Sequence, residues 1–193
     1  MVETELKAVV GDLAACRARV ERAGGVLEQE GHLQDCRYED EGGRMRKLDH
    51  VLRIRIFRGG GRDESSLEWK GPTHTANGLK AREEIGTRVS DPAALTEIME
   101  KLGYELTRTI DREIAQFRLH GATVRFERYP RMDDLVEVEG SAESIERAIA
   151  ALELPRDSFT TDSLFAFMDR YQQRTGKRPI ICAADLGDGE SEW

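Results

Sequence analysis

Apolar and polar residues alternate along much of the chain with the two-residue period of half-buried β-strands, in which side chains at i, i+2 and i+4 share a face. The pattern begins at once: Glu3, Glu5 and Lys7 fall on one side, and Val2, Thr4 and Leu6 on the other. It returns at 50–57, where Leu52, Ile54 and Ile56 oppose Arg53 and Arg55, and at 66–70, where Glu68 and Lys70 share a face. Further strands are predicted at 26–38, 79–89, 106–112, 113–120, 122–129 and 135–139, with Lys80, Arg82 and Glu84 on one face of their strand. Arg125 and Glu127 oppose Val124 and Phe126, and Glu137 and Glu139 oppose Val136 and Val138. Gly59-Gly60-Gly61 and Gly121 read as turns, 73–78 as a loop.

Helical spacing interrupts this alternation at four places. Leu13, Cys16, Val20 and Ala23 form a stripe that ends at Gly24-Gly25. Asp91-Pro92 is a helix entry, with Asp91 as the cap and Pro92 in the first turn; Leu95, Ile98, Met99 and Leu102 follow as the buried stripe, and Gly103 closes it. Two more helices are predicted over 141–155 and 163–176, the second with Phe165, Phe167 and Tyr171 as packing residues. Trp69 is expected on the apolar exterior of the sheet. Strands followed by packed helices, with no separating linker, make an α+β domain with a mostly antiparallel sheet. The domain is expected to occupy residues 1–176, with 177–193 as a C-terminal tail, loose and acidic toward its end.

Composition narrows the function classes. Of 193 residues, 34% are charged and 39% hydrophobic, and the formal net charge of −8 argues against non-specific nucleic-acid binding, which needs a basic face. Cys16, Cys36 and Cys182 have no zinc-ligand spacing and suit reduced thiols. With no apolar leader or spanning stretch, the expectation is a cytoplasmic protein with no membrane partner. The polar strand faces are almost wholly ionic, whereas a wet sheet face ordinarily mixes Thr, Ser, Lys and Glu. Two arrangements account for this: a solvated outer face, or strands closed into a barrel with the charges inside. Enclosed charge is costly without partners. A charged tunnel therefore suits a polyanion whose oxygens take the arginines and lysines, together with a hard cation on the carboxylates.

Glu3-Thr4-Glu5-Leu6-Lys7, Leu52-Arg53-Ile54-Arg55, Trp69-Lys70-Gly71-Pro72, Lys80-Ala81-Arg82-Glu83-Glu84, Leu102-Gly103-Tyr104 and Leu135-Val136-Glu137-Val138-Glu139 stand in the order and spacing of a known family. Over roughly residues 1 to 170 the chain resembles the CYTH superfamily, the triphosphate tunnel metalloenzymes, and within it the class IV adenylate cyclases. The resemblance implies an eight-stranded antiparallel β-barrel tunnel with helices outside, a triphosphate substrate such as ATP or tripolyphosphate, and Mg²⁺ or Mn²⁺. It is also compatible with a homodimer. It implies metal binding by Glu3, Glu5, Glu127, Glu137 and Glu139. Phosphate gripping would fall to Lys7, Arg53, Arg55, Lys70, Arg82, Arg112 and Arg125, with Lys7, Arg53 and Glu137 at the centre of catalysis. The implied reaction turns ATP into cyclic AMP and pyrophosphate; the alternatives are hydrolysis of inorganic, thiamine or nucleoside triphosphate, and a module that binds polyphosphate or nucleotide without turnover.

The chain departs from the family pattern at four places. Cys36 is expected at the position of an aspartate on the second strand, Ile114 replaces a basic residue, Glu127 replaces an aspartate, and Gly86 stands where a glutamate is usual. Arg108 and Arg125 are the candidates to make good the missing base. Cys36 itself is expected to be a small packed residue, and His32, His50, His74 and His120 to be surface or loop residues.

Overall fold

The computed structural model describes residues 2–76 and 78–187, and for residues 2, 3 and 76 the backbone alone. The described residues form nine strands: β1 (Val2–Val9), β2 (Val26–Asp40), β3 (Val51–Gly59), β4 (Arg62–Lys70), β5 (His74–Ala76), β6 (Leu79–Arg88), β7 (Tyr104–Leu119), β8 (Ala122–Arg128) and β9 (Leu135–Glu139). They run in the order β1-β9-β8-β7-β2-β3-β4-β6-β5, and β1 also pairs with β6, so eight antiparallel strands close on themselves while β5 flanks β6. Closure removes the free edges of the sheet. The eight-stranded α+β barrel implied by the family resemblance is the fold observed.

Among the described residues five α-helices pack around the barrel: α1 (Leu13–Arg22), the short α2 (Arg44–Lys47), α3 (Pro92–Lys101), α4 (Ala142–Leu152) and α5 (Leu164–Thr175). Their starts follow from local chemistry, because Asp12 and Asp91 accept hydrogen bonds from Ala15 N and Ala94 N, each at 2.9 Å, and Ser141 accepts from Ser144 N at 3.2 Å. α1, α3 and α4 cover the apolar barrel exterior, whereas α5 packs on residues that share the inward face of their strands with Arg112, Glu127 and Glu137. α1 and α4 bury Val20, Ile145, Ile149 and Leu152 against Val124, Phe126, Val136 and Val138. α3 sets Met99 on Tyr38 and Ile54, and α5 sets Phe167 on Ile110, Tyr129, Leu135 and Ile181. With the apolar side chains of each strand spent on the helices, their ionic neighbours point inward.

Four local expectations change. The segment 106–120, read as two strands, is one sixteen-residue strand. The charged run Asp111-Arg112-Glu113 that looked like a break keeps strict alternation, with Arg112 inside and Asp111 outside, where His32 and Gln34 hold it. His74–Ala76, read as loop, pairs with β6, and Trp69 is only half-buried, edge-on to His50 with ring centroids 4.9 Å apart. From residue 177 onward the chain, set apart by composition as a tail, is docked as far as it is described: Ile181 O accepts from Asp111 N at 2.7 Å, and Ile180 pairs with Arg131. Residues 188–193 of that stretch lie outside the described residues.

Inside the barrel, Leu33, Phe57 and Ile114 form a separate buried cluster. Leu33 follows the inward face of Asp35, and Phe57 that of Arg53 and Arg55, so the cluster is an apolar plug next to the charged layer. Beside it β2 and β3 touch at two glycines: a β-carbon on Gly31 would lie 2.3 Å from Arg58 O, and one on Gly59 2.3 Å from Glu30 O.

Candidate active site

The barrel encloses a cavity of about 1210 Å³. Of the site residues expected from the sequence, Glu5, Lys7, Arg53, Arg55, Lys70, Arg82, Arg112, Arg125, Glu127, Glu137 and Glu139 all line it. The side chain of Glu3 lies outside the described residues; its backbone pairs with Arg82 in the β1–β6 ladder.

Two charge networks organise the wall. The first centres on Asp35, which is 1% exposed and accepts from Arg53 Nη1 at 3.0 Å, Arg55 Nε at 2.7 Å and Arg112 Nη2 at 3.0 Å. Burial acts to raise its pKa, but the three guanidinium groups outweigh it and hold the carboxyl well below the usual range. Arg53 also donates to Glu68 at 2.6 and 2.8 Å, and Arg112 pairs with Glu127 at 3.0 Å. Glu127 accepts from the Tyr129 hydroxyl at 2.7 Å; its pKa, pushed up by burial and down more strongly by Arg112, Lys7 and Arg125, stands at about 2.

The second network lies on β1, β6, β8 and β9. Lys7 and Arg125 both bind Glu137, and Lys80 binds Glu5, which also lies 3.6 Å from Lys7. The ladder sets Glu5 opposite Glu139 and Lys7 opposite Glu137, so carboxylates and ammonium groups interleave. Burial raises the Glu5 pKa, and Lys7 and Lys80 more than reverse this, holding it below the usual carboxylate range. Lys70 pairs with Glu84; burial and then the nearby Arg53 bring its pKa down to about 8.

Three sequence expectations resolve here. Asp35, not Cys36, carries the carboxylate of β2 into the tunnel, while Cys36 packs on the outer face among apolar side chains. Asp35 and Arg37 alternate with Gln34, Cys36 and Tyr38, and pairing of Asp35 with Arg55 and of Arg37 with Arg53 turns the first two inward; the irregular step of the β2–β7 ladder falls at Thr107 on β7 and leaves this alternation untouched. Ile114 belongs to the plug, and Arg125 on the neighbouring strand brings the cation instead, within 3.4 Å of Gln116 and bound to Glu137. Gly86 is the cross-strand partner of Glu68, whose Cγ stands 3.4 Å from where a Gly86 β-carbon would be, so β4 supplies the carboxylate that β6 lacks. Asp35, Arg37, Glu68, Lys80, Glu84, Arg108 and Tyr129 also line the cavity; none was in the expected site set, although the ionic alternation of β4 and β6 already marked three of them.

The carboxylates of Glu5, Glu127, Glu137 and Glu139 are hard oxygen donors on neighbouring strands, chemistry that fits Mg²⁺ or Mn²⁺ rather than a soft metal. Among the described residues no three His, Cys, Asp or Glu side chains stand as a ready-made metal cluster, because lysines and arginines occupy the glutamates. A triphosphate that drew those cations onto its own oxygens would free the glutamates.

Comparison with known proteins agrees with this geometry. The sequence profile of the CYTH domain matches residues 1–158. The chain belongs to the CYTH family. This CYTH protein is similar in structure to PH1819 from Pyrococcus horikoshii OT3, with 23% identity, 84% of this chain and 96% of that chain covered, and a TM-score of 0.70. It is also similar to a candidate adenylate cyclase from Vibrio parahaemolyticus, at 16% identity, 88% and 98% coverage, and a TM-score of 0.75. A third similar structure is the candidate adenylyl cyclase HpAC1 from Hippeastrum, described as having a dominant triphosphatase activity, at 14% identity, 96% and 99% coverage, and a TM-score of 0.59. No curated protein matches the sequence significantly. These likenesses carry the fold; at such identities the reaction has to be argued from the site. Among the described residues no helix is long and apolar enough to cross a membrane.

Proposed function

We propose that the protein is a divalent-metal-dependent enzyme acting on a triphosphate, and that its reaction is of the cyclase type, converting a nucleoside triphosphate such as ATP into the cyclic nucleotide and pyrophosphate. The observation that carries the triphosphate reading is the enclosed ring of Lys7, Arg53, Arg55, Lys70, Lys80, Arg112 and Arg125 in a protein of net charge −8. Guanidinium and ammonium groups converging on one volume match a chain of phosphoryl oxygens. The cavity, at about 1210 Å³, exceeds what a triphosphate fills and continues toward Val51, Leu52, Leu164 and Phe165, where a nucleoside has apolar contacts.

In this reading Arg53, Arg55 and Arg112 are fixed donors, held in place by Asp35 before substrate arrives. Such preorganised charge stabilises the phosphoryl oxygens without reorganisation at the moment of reaction. Lys7 and Lys80 would turn from Glu137 and Glu5 to phosphate, leaving Arg125 on Glu137, and Glu5, Glu137 and Glu139 would hold the metal. When bound, Mg²⁺ or Mn²⁺ supplies charge neutralisation across the bridging oxygens and a lowered pKa for the attacking hydroxyl. The plug of Leu33, Phe57 and Ile114 keeps water from the far side of the Asp35 layer.

Hydrolysis of the same triphosphate is the second reading, favoured by an ionic and therefore hydrated wall that leaves water at hand as a nucleophile. One experiment separates the two. Purified protein with Mg²⁺ or Mn²⁺ is given ATP, GTP, thiamine triphosphate or tripolyphosphate, and products are resolved by chromatography. Cyclic nucleotide with pyrophosphate is the expected result, and orthophosphate alone would assign the enzyme to the triphosphatases. Binding without product would make it a module, and no binding of any triphosphate would overturn the proposal.

A further inference from the structure

In one corner of the cavity two arginines stand without an ion-paired carboxylate among the described residues, though Asp35 attracts the nearer one. Arg37 is the cross-strand neighbour of Arg53 on one side and of Arg108 on the other, so three arginines run in a row across β3, β2 and β7. Arg53 is matched by Asp35 and Glu68. Among the described residues no carboxylate forms an ion pair with Arg37 or Arg108, and Arg37 Nε is buried with no hydrogen-bond partner. Burial, and then the repulsion of Arg53, bring the Arg37 pKa down to about 10. Above this pair lies Phe165, at the start of α5 and 37% exposed; the Arg108 guanidinium carbon stands 4.4 Å from the ring centroid and that of Arg37 5.8 Å. The expectation that Phe165 is packing like Phe167 therefore fails: Phe167 is buried under α5, while Phe165 faces the cavity.

A guanidinium group only donates hydrogen bonds. Two of them without an accepting side chain, beside an aromatic face, make a site for a planar group whose edge only accepts. We propose that Arg37, Arg108 and Phe165 form the subsite for the organic group of the substrate and select a purine that presents O6 and N7, as guanine and hypoxanthine do, over adenine. This rests on the triphosphate reading above and names the base it leaves open. The major-groove edge of guanine offers two acceptors to an arginine, whereas adenine offers one acceptor and one N6 amino donor, which would face a donor here. The subsite adjoins the phosphate grip through Arg53, so one ligand can occupy both.

The test is calorimetric titration of the full chain with GTP, ITP, ATP and tripolyphosphate, in the wild type and in Arg108→Gln, Phe165→Ala and Arg37→Gln. GTP and ITP are expected to bind about tenfold more tightly than ATP, the discrimination of one arginine–guanine pair. In Arg108→Gln the ratio should fall to about one or reverse, because a glutamine amide matches adenine's N6 and N7. Tripolyphosphate affinity should change less than about twofold in Arg108→Gln and Phe165→Ala. Arg37 is deeper, and Arg108 and Phe165 are exposed, so these two variants decide the matter even where Arg37→Gln misfolds. Equal affinity of the wild type for GTP, ITP and ATP would overturn the assignment. An equal loss of tripolyphosphate and GTP binding in Arg108→Gln would overturn it too, by making Arg108 part of the phosphate grip. Failure of tripolyphosphate to bind the wild type at all would instead strike the triphosphate reading, and this proposal with it.

Discussion

On the β2–β3–β7 side of the tunnel one carboxylate, Asp35, is clasped by three arginines and sealed beneath by apolar side chains; on the β1–β6–β8–β9 side, Glu5 and Glu137 share two lysines and Arg125 at more exposed positions. Both regions neutralise buried charge, with different hardware. An arginine fork held at two points has little freedom left, whereas a lysine is a point charge on a four-carbon stem that can change partners. In the proposed reading the first wall would keep its shape as a ligand enters, and the second would rearrange. Residues of the same charge thus have different roles: removing one from the fixed wall should damage folding, and removing one from the exchangeable wall should damage turnover.

The largest effect is expected at Asp35. Asp35→Ala leaves three guanidinium groups in a poorly hydrated layer without their common partner, and should cost about 3–5 kcal/mol of stability in denaturant unfolding. A loss under 1 kcal/mol would mean the arginines find other partners, and the contrast between the walls would collapse.

Next come Glu5→Gln and the double change Glu137→Gln with Glu139→Gln. Metal-dependent turnover should drop at least about a hundredfold, the scale of losing one group dedicated to transition-state charge. The melting temperature should shift far less than in Asp35→Ala. Unchanged turnover would remove that glutamate from the metal set.

Lys7→Met and Lys80→Met are gentler. Each should weaken triphosphate binding by about 1.5–3 kcal/mol, the worth of a charged hydrogen bond, with the fold intact by circular dichroism. If either variant binds triphosphate as the wild type does, that lysine stays on its glutamate when substrate enters.

The smallest effect is a pH dependence. Lys70 has its pKa lowered from 10.5 to about 8, so triphosphate affinity should fall a fewfold as pH rises through 8 and the ammonium is lost. Stability runs the other way. Between about 8 and 10.5 the unfolded chain holds the proton that the folded chain has released, so this lysine makes unfolding harder as pH rises through that window. Lys70→Arg should flatten the affinity profile, and a profile unchanged by that substitution would place the titration elsewhere.

Much of this contrast could be read from the sequence, because the period of a strand is rigid: once Leu52, Ile54 and Ile56 are committed to helices outside, Arg53 and Arg55 have one direction left. What alternation could not supply was register. Which face of β2 turns inward is decided by its pairing with β3, where Asp35 meets Arg55 and Arg37 meets Arg53; without that pairing the motif drew attention to Cys36 and left Asp35 and Arg37 unremarked. The exchange of roles between β4 and β6 at Glu68 and Gly86 was equally hidden, being a property of paired strands. Phe165 and Phe167 share a helix and a residue type, and only the direction of α5 across the barrel tells the cavity-facing ring from the packed one.

The cluster of Leu33, Phe57 and Ile114 has a consequence for traffic. If this cluster acts as a floor under the Asp35 layer, as its place on the inward strand faces suits, a ligand of the proposed kind would arrive and depart by the same doorway. Whichever fragment of a cleaved ligand sits deeper is then trapped behind the other, so the order of release is set by depth rather than by relative affinity. Under the proposed function, the expected slow step is the emptying of the innermost position, among the arginines around Asp35.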